Sequence, residues 1–154
     1  MLSLCEEESL QHFCLRSLPS LTRLGLLELA AVCDVLIVAA SLNTDTANIV
    51  DGEFLGRMKS SAFLINISRG GLVDQEALLR ALTGGQIKGA GLDVCTPEPL
   101  PATSPLLRCP NLVMFPHIGS ATVAAREGMA NLAVTNVLAV AARHKMPTEV
   151  ELGP

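Results

Sequence analysis

The chain has 154 residues, enough for one domain with its own hydrophobic core, and a formal net charge of -4. The charges are scattered without a basic run, and the absence of Trp and Tyr argues against a nucleic-acid-binding surface. Five cysteines without a Cys-x-x-Cys pair and three widely spaced histidines predict reduced thiols in an intracellular protein and no metal site.

The first twenty residues fit no hydrophobic period and are predicted to form an irregular segment, 1–20. The opening MLSLCEEES has no basic stretch, which argues against a signal peptide, and the most apolar run, 35–44, is too short to span a bilayer. We therefore expect a cytoplasmic protein that partners neither nucleic acid nor membrane. A mean hydropathy of +0.44 is high for such a protein and predicts an apolar surface that is normally covered.

From Leu21 onward the pattern alternates between strands and helices. Apolar runs of strand length occur at 34–41, 62–68, 89–94 and 111–116, and such runs are typical of parallel strands covered on both faces. Helices are predicted at 26–32, 52–58, 75–83 and 122–143. Asp51 and Asp74 are expected to cap the second and third helices, and Gly84-Gly85 to end the third. This order predicts an α/β fold with a mainly parallel sheet.

The last predicted helix carries apolar residues at helical spacing. They are expected to form a single stripe made of Met129, Leu132, Ala133, Val137, Val140 and Ala141.

Polar residues follow the predicted strands at their carboxyl ends, where parallel sheets bind ligands. They are Ser41, Ser68 and Arg69, Asp93, and His117, with Glu98 in the proline-rich loop after the third strand. Four strand ends would therefore present these side chains to one crevice.

Each of these residues also has an ordinary structural interpretation. Arg69 is either a surface residue at a turn or a bidentate anchor for a carboxylate. Gly70 and Gly71 either let the backbone approach a ligand closely or are ordinary turn residues. His117 is either a hydrogen-bonded structural residue or a proton donor, and Glu98 either a solvated carboxylate or its partner. Taken together, an arginine and a Glu-supported histidine suggest reduction of a 2-keto acid, which requires hydride from a nicotinamide cofactor.

Three ordered segments carry a family resemblance: 65-INISRGGLVD-74, 91-GLDVCTPEP-99 and 116-PHIGSAT-122. They resemble the C-terminal half of the D-isomer-specific 2-hydroxyacid dehydrogenases, and the likeness runs from about residue 26 to the end. The resemblance implies a homodimeric intact enzyme that reduces small 2-keto acids, such as glyoxylate and hydroxypyruvate, to D-2-hydroxy acids. It implies NADP or NAD as cofactor, with NADP slightly favoured.

The resemblance also implies a role for each matching residue. Arg69, Glu98 and His117 match the catalytic positions, and Arg69, His117 and Ser120 match those that contact substrate. The cofactor-lining positions are matched by Ser41, Ile67, Asp93 and Gly119.

The sequence departs from the family in having no Gly-x-Gly-x-x-Gly turn, which would bind the cofactor pyrophosphate. We therefore expect a partial Rossmann-type, doubly wound parallel sheet that lacks the first part of the nucleotide-binding domain and most of the substrate domain. Residues 21–120 would form the partial NAD(P)-binding domain, and residues 121–154 a long helix and tail returning toward the missing substrate domain.

Two functional hypotheses follow. The chain is either a truncated, weakly active or inactive form of the reductase, or a non-catalytic isoform or binding module that associates with full-length subunits. An incomplete gene product is a third interpretation. A sheet that lacks its first strands would expose an edge and apolar faces that were built to be covered, which would explain the high mean hydropathy. It also predicts marginal stability and a tendency to associate.

Overall fold

The computed structural model describes residues 24–149, which belong to two compact units that divide between His117 and Ile118. The first unit has strands β1 (Val35–Val38), β2 (Phe63–Asn66), β3 (Gly89–Leu92) and β4 (Leu112–Met114), and helices α1 (Leu26–Val32), α2 (Gly52–Arg57) and α3 (Gln75–Thr83). The second unit contains α4 (Val123–Ala141). The predicted segment 1–20 lies outside the described residues.

The four strands form one sheet in the order β1-β2-β3-β4, and every neighbouring pair is parallel. One row of the sheet aligns Ile37 with Ile65, then with Gly91, then with Val113. The predicted α/β fold with a parallel sheet is confirmed, as is the order of its elements.

Each strand is shorter than its apolar run because the chain leaves the ladder before the run ends. Beyond β1, the carbonyl of Ala40 accepts a hydrogen bond from the Ser68 hydroxyl, and the carbonyl of Ser41 accepts one from Thr46 Oγ1 at 2.7 Å. Side chains therefore satisfy backbone groups that a longer strand would pair with its neighbour.

The predicted helix caps are present. Asp51 accepts the Phe54 N–H at 2.8 Å, and Asp74 accepts the N–H groups of Glu76 and Ala77. After α3 the chain turns through Gly85 at a φ of 66°, a left-handed conformation that glycine adopts without a Cβ penalty.

One face of the sheet holds the core of the first unit. Buried positions alternate along β1 and β2, and the core is completed by residues of the three helices, such as Phe54 and Leu78. The alternate positions face the other way and are exposed or half-buried. Val35, Phe63 and Val113 are exposed, so the described residues leave this apolar face of the sheet uncovered, as the expectation of a partial sheet predicts.

The helix α4 begins with Thr122, whose hydroxyl accepts the Ala125 N–H at 3.2 Å. The prediction of a single apolar stripe is wrong. Val134 and Leu138 lie on the side of the helix away from Met129, so apolar residues surround it, and none of its residues is buried. Helices that are apolar all round are normally enclosed by other structure.

Within the described range, Cys33, Cys95 and Cys109 are free thiols, whereas Cys5 and Cys14 lie outside it. Between residues 24 and 149, no helix combines the length and apolar character needed to cross a membrane.

Candidate active site

The predicted polar residues of the first unit all follow their strands at the carboxyl edge of the sheet. Ser41 follows β1, Arg69 follows β2, Asp93 follows β3 and His117 follows β4. Since the strands are parallel and adjacent, these ends share one edge, which is where open α/β sheets bind ligands.

The turn that carries Arg69 is held by a buried asparagine. Asn66, at the end of β2, is 1% exposed. Its Nδ2 donates to the carbonyl of Arg69 at 2.9 Å, and its Oδ1 accepts the N–H of Ser68 at 3.1 Å. The side-chain amide of Asn66 thus pairs with both a carbonyl and an N–H of the turn, which fixes the direction in which Arg69 leaves the sheet.

Arg69 borders a cleft of about 510 Å³ at the ends of β1 and β2, lined by Ala39, Ala40, Ser41, Leu42, Ser68 and Arg69. Its guanidinium is exposed and bonds through Nη1 to the carbonyl of Ser68 at 2.7 Å. Small side chains beside one permanent cation suit an anionic ligand such as a carboxylate or phosphate. The structure therefore brings two of the predicted residues, Ser41 and Arg69, to one cleft.

Glu98 and His117 meet directly. Nδ1 of His117 lies 2.9 Å from Oε1 of Glu98, and each side chain is partly open to solvent, 46% and 39% exposed respectively. A carboxylate at this nitrogen orients the ring and favours the tautomer that carries its proton on Nδ1. The predicted partnership of these residues is present in the fold.

His117 also has an unusual backbone conformation, with a φ of 55°. This left-handed region disfavours most side chains, and such residues cluster at functional sites where the surroundings impose the conformation. The backbone N–H of His117 donates to the carbonyl of Asp93 at 2.9 Å, and the backbone N–H of Asp93 donates to the backbone carbonyl of Asn66 at 2.9 Å. Successive strand ends are therefore linked from β2 to β4.

The two glycines after Arg69 serve packing. A Cβ on Gly70 would lie 2.1 Å from the carbonyl oxygen of Cys95, and one on Gly71 would lie 3.0 Å from a methyl group of Leu42. At Gly70 the backbone closely approaches the loop that carries Glu98. Only glycine allows these two backbones to touch.

Cys95, at the start of that loop, donates through Sγ to the carbonyl of Pro97 at 3.4 Å. Burial raises the pKa of the Cys95 thiol, and the negative charge of Glu98 raises it further. Cys95 is therefore a poor nucleophile in this position.

Ile67 and Asp93 line a second space, a groove of about 560 Å³ on the open face of the sheet. Ile67 is 57% exposed, whereas Asp93 is buried. Gly89 and Gly91 also line this groove, and because they have no side chains they leave its space open.

Gly119 and Ser120 belong to the second unit. They lie in a turn closed by the Ala121 N–H, which donates to the carbonyl of Ile118 at 2.9 Å, and both are exposed.

The sequence did not predict three contacts that support the site. They are the hydrogen bonds of Asn66, the packing of Gly70 against Cys95, and the bond between the Gln75 side-chain amide and Thr96. An amide at the end of an otherwise apolar strand was the available signal for Asn66, because buried polar groups require partners. The other two contacts join segments distant along the chain, and no local pattern predicts them.

Replacing Asn66 with alanine is expected to lower the free energy of unfolding by about 2 kcal/mol, because the part-buried N–H of Ser68 loses its acceptor and the Arg69 carbonyl keeps only the N–H of Leu72, at 3.3 Å. Urea unfolding followed by circular dichroism would measure it. Asn111 is a matched control: it is half-buried and bonds to Leu82 and Lys88 through Nδ2 at 3.2 and 3.3 Å. We expect Asn111→Ala to cost less, and an equal cost would contradict the assigned importance of Asn66.

Chemically, the first unit offers a fixed cation and an oriented histidine along one sheet edge. The cation can hold an anionic group, and the histidine can donate a proton to an oxygen or accept one from it. This combination suits a substrate with a carboxylate beside a carbonyl.

Comparison with known proteins agrees with this chemistry. Residues 16–119 match the family described as D-isomer specific 2-hydroxyacid dehydrogenase, NAD binding domain. Glyoxylate reductase/hydroxypyruvate reductase of Mus musculus is 50% identical over 125 residues, covering 81% of this chain and 38% of the mouse protein. Glyoxylate/hydroxypyruvate reductase B of Pectobacterium carotovorum is 52% identical over 111 residues, 72% of this chain and 35% of that protein.

A solved structure supports the same family assignment. The NADPH-dependent glyoxylate/hydroxypyruvate reductase of Sinorhizobium meliloti, crystallised with NADP and malonate, superposes with a TM-score of 0.76 at 38% identity. The superposition covers 81% of this chain and 39% of that one. The chain thus spans less than half the length of each of these three relatives. The predicted family and nicotinamide cofactor are confirmed at this level: the chain belongs to the D-isomer specific 2-hydroxyacid dehydrogenases and carries part of their NAD-binding domain.

Proposed function

We propose that this chain carries the substrate-carboxylate anchor and the proton donor of an NAD(P)H-dependent 2-keto acid reductase. The observation that supports this most directly is the 2.9 Å contact between His117 Nδ1 and Glu98 Oε1. It occurs at the sheet edge that also presents Arg69, so an acid and a cation lie at the edge where such folds bind ligands.

In this proposal Arg69 binds the carboxylate of the substrate through its guanidinium fork. His117 delivers a proton from Nε2 to the carbonyl oxygen, while Glu98 holds Nδ1 and so fixes the orientation of the ring. In the reverse direction the same nitrogen accepts the hydroxyl proton. Ser120 is the further residue proposed to contact the substrate.

The nicotinamide cofactor supplies the hydride when bound. Ser41, Ile67, Asp93 and Gly119 are the residues of this chain proposed to line it, and the small-residue cleft beside Arg69 is compatible with an anionic ligand. NADP is proposed over NAD because a 38% identical reductase was crystallised with NADP. Glyoxylate and hydroxypyruvate are the proposed substrates because they appear in the names of the similar reductases.

We expect the 154 residues taken alone to turn over slowly or not at all. Their sequence has no Gly-x-Gly-x-x-Gly turn, so they lack the family's usual means of binding the pyrophosphate at a helix N-terminus. The catalytic residues are therefore best tested in a complete enzyme.

The test is a chimera in which residues 24–149 replace the matching segment of the mouse reductase. We expect it to oxidise NADPH when hydroxypyruvate is added, measured by nicotinamide absorbance. Arg69→Ala should raise the KM for hydroxypyruvate by roughly 100-fold, because a charge-assisted bidentate contact is lost, and Arg69→Lys should recover part of it.

Arg57→Ala is the matched control, since Arg57 is an exposed arginine of α2 that pairs only loosely with Glu53, at 3.7 Å. It should leave KM unchanged. An active chimera whose KM does not respond to Arg69→Ala would overturn the anchor role, and a folded chimera without activity would overturn the proposed reaction.

The open sheet face favours a second candidate function, association with another polypeptide. Phe63, Val113 and Phe115 expose 38%, 57% and 53% of their surface on or beside this face. Mixing the chain with the intact mouse enzyme and measuring mass by light scattering would test this. A mixed complex from an inactive chain would favour a binding module over an enzyme.

A further inference from the structure

Gln75 joins two segments of the site that are distant along the chain. It is the first residue of α3, immediately after the capping Asp74. Its Oε1 accepts the backbone N–H of Thr96 at 2.8 Å, and its Nε2 donates to the backbone carbonyl of the same residue. One side-chain amide therefore pairs with both polar groups of a single peptide residue, as a neighbouring strand would.

Thr96 begins the segment that delivers Glu98. Glu98 lies between Pro97 and Pro99, and proline rings restrict φ to a narrow range. Few backbone torsions remain free between Thr96 and the Glu98 side chain. Anchoring Thr96 thus limits where the Glu98 carboxylate can lie.

The same segment is also held from the Arg69 side. Gly70 packs directly against the backbone of Cys95, with no room for a Cβ. The loop is therefore held at two successive residues. Gly70, in the turn after β2, packs against Cys95, and Gln75, at the start of α3, forms hydrogen bonds to Thr96.

We propose that Gln75 is a positioning residue that holds the Thr96–Pro99 segment so that Glu98 engages Nδ1 of His117. Its catalytic meaning rests on the proposed function. The geometric claim does not, because the Glu98–His117 contact can be observed without turnover.

The experiment uses NMR on the isotopically labelled 154-residue chain and its Gln75→Ala, Gln75→Glu and Glu76→Ala variants. Amide hydrogen exchange at Thr96 reports the anchor, and the ring ¹⁵N shifts of His117 at about pH 8 report which nitrogen carries the proton. Glu76 is the matched control, since it is the next residue of α3 and its side chain is 90% exposed.

Gln75→Ala should accelerate exchange at Thr96 by roughly five- to tenfold and reduce the Nδ1-protonated form of His117, while exchange in the core of β2 stays unchanged. Gln75→Glu keeps an acceptor for the Thr96 N–H and should recover part of both signals. Glu76→Ala should alter neither.

Faster exchange at Thr96 with an unchanged His117 ring would overturn the inference, because Gln75 would then serve only local structure. Unchanged exchange at Thr96 would overturn it as well. If Gln75→Ala does not fold, Thr96 exchange and the His117 ring shifts are measured in Gln75→Glu, where changes in both support the inference and a change in only one, or in neither, overturns it. A chimera that fails to reduce keto acids would refute the proposed function while leaving these measurements valid.

Discussion

Gly70→Ala is expected to lower the free energy of unfolding by about 3 kcal/mol or more. The added Cβ would lie 2.1 Å from the carbonyl oxygen of Cys95, 2.2 Å from its carbonyl carbon and 2.6 Å from Thr96 Oγ1. Two of these atoms are backbone, so a side-chain rotation cannot relieve the overlap. The Glu98 loop must shift, and we expect His117 to lose its carboxylate partner as well.

Urea unfolding measures the loss of stability, and Gly71→Ala is a neighbouring control. A Cβ at Gly71 would meet the end of the Leu42 side chain, and Leu42 is 45% exposed, so a rotation of that side chain can relieve the contact. We expect that substitution to change stability by less than about 1 kcal/mol. Equal effects at the two glycines would show that the contact between Gly70 and Cys95 is not a tight one.

His117→Asn in the chimeric enzyme is expected to lower kcat by about 10³-fold with a smaller effect on KM, since general acid catalysis is typically worth 10²–10⁴. Asparagine is chosen because it tolerates the left-handed φ of 55° better than most residues, so the backbone can persist. The loss should therefore reflect the missing proton donor.

Glu98→Gln provides a graded comparison, because it removes the carboxylate and leaves the histidine in place. We expect a smaller loss of kcat, about 10- to 100-fold, since an orienting group is replaced by a weaker one. Steady-state kinetics and circular dichroism on both variants would separate chemistry from folding. Comparable kcat in His117→Asn and the parent chimera would refute the acid role.

The open face of the sheet has consequences for handling the isolated chain. Apolar side chains are exposed on β1, β2 and β4, and α4 has apolar residues on every side, which agrees with the high mean hydropathy of the chain. The expected marginal stability and tendency to associate stay predictions, and concentration-dependent light scattering would check them.

Local patterns in the sequence were sufficient for the element order and the helix caps. Continuous apolar runs identify buried parallel strands, and an aspartate before an amphipathic segment identifies a helix start, because each signal depends only on neighbouring residues. Since parallel strands end at one edge, the same patterns also predicted that Arg69, Asp93 and His117 would lie along it.

The tertiary structure decided what holds those residues in place. The Glu98–His117 pair, the contact of Gly70 with Cys95 and the hydrogen bonds of Gln75 to Thr96 each join separate loops. The paths of these loops depend on packing between distant segments, and such packing produces no periodic pattern of residues in the sequence. The sequence by itself determined that a partial sheet would leave apolar surface uncovered, whereas only the folded chain showed that the described residues cover one face and expose the other.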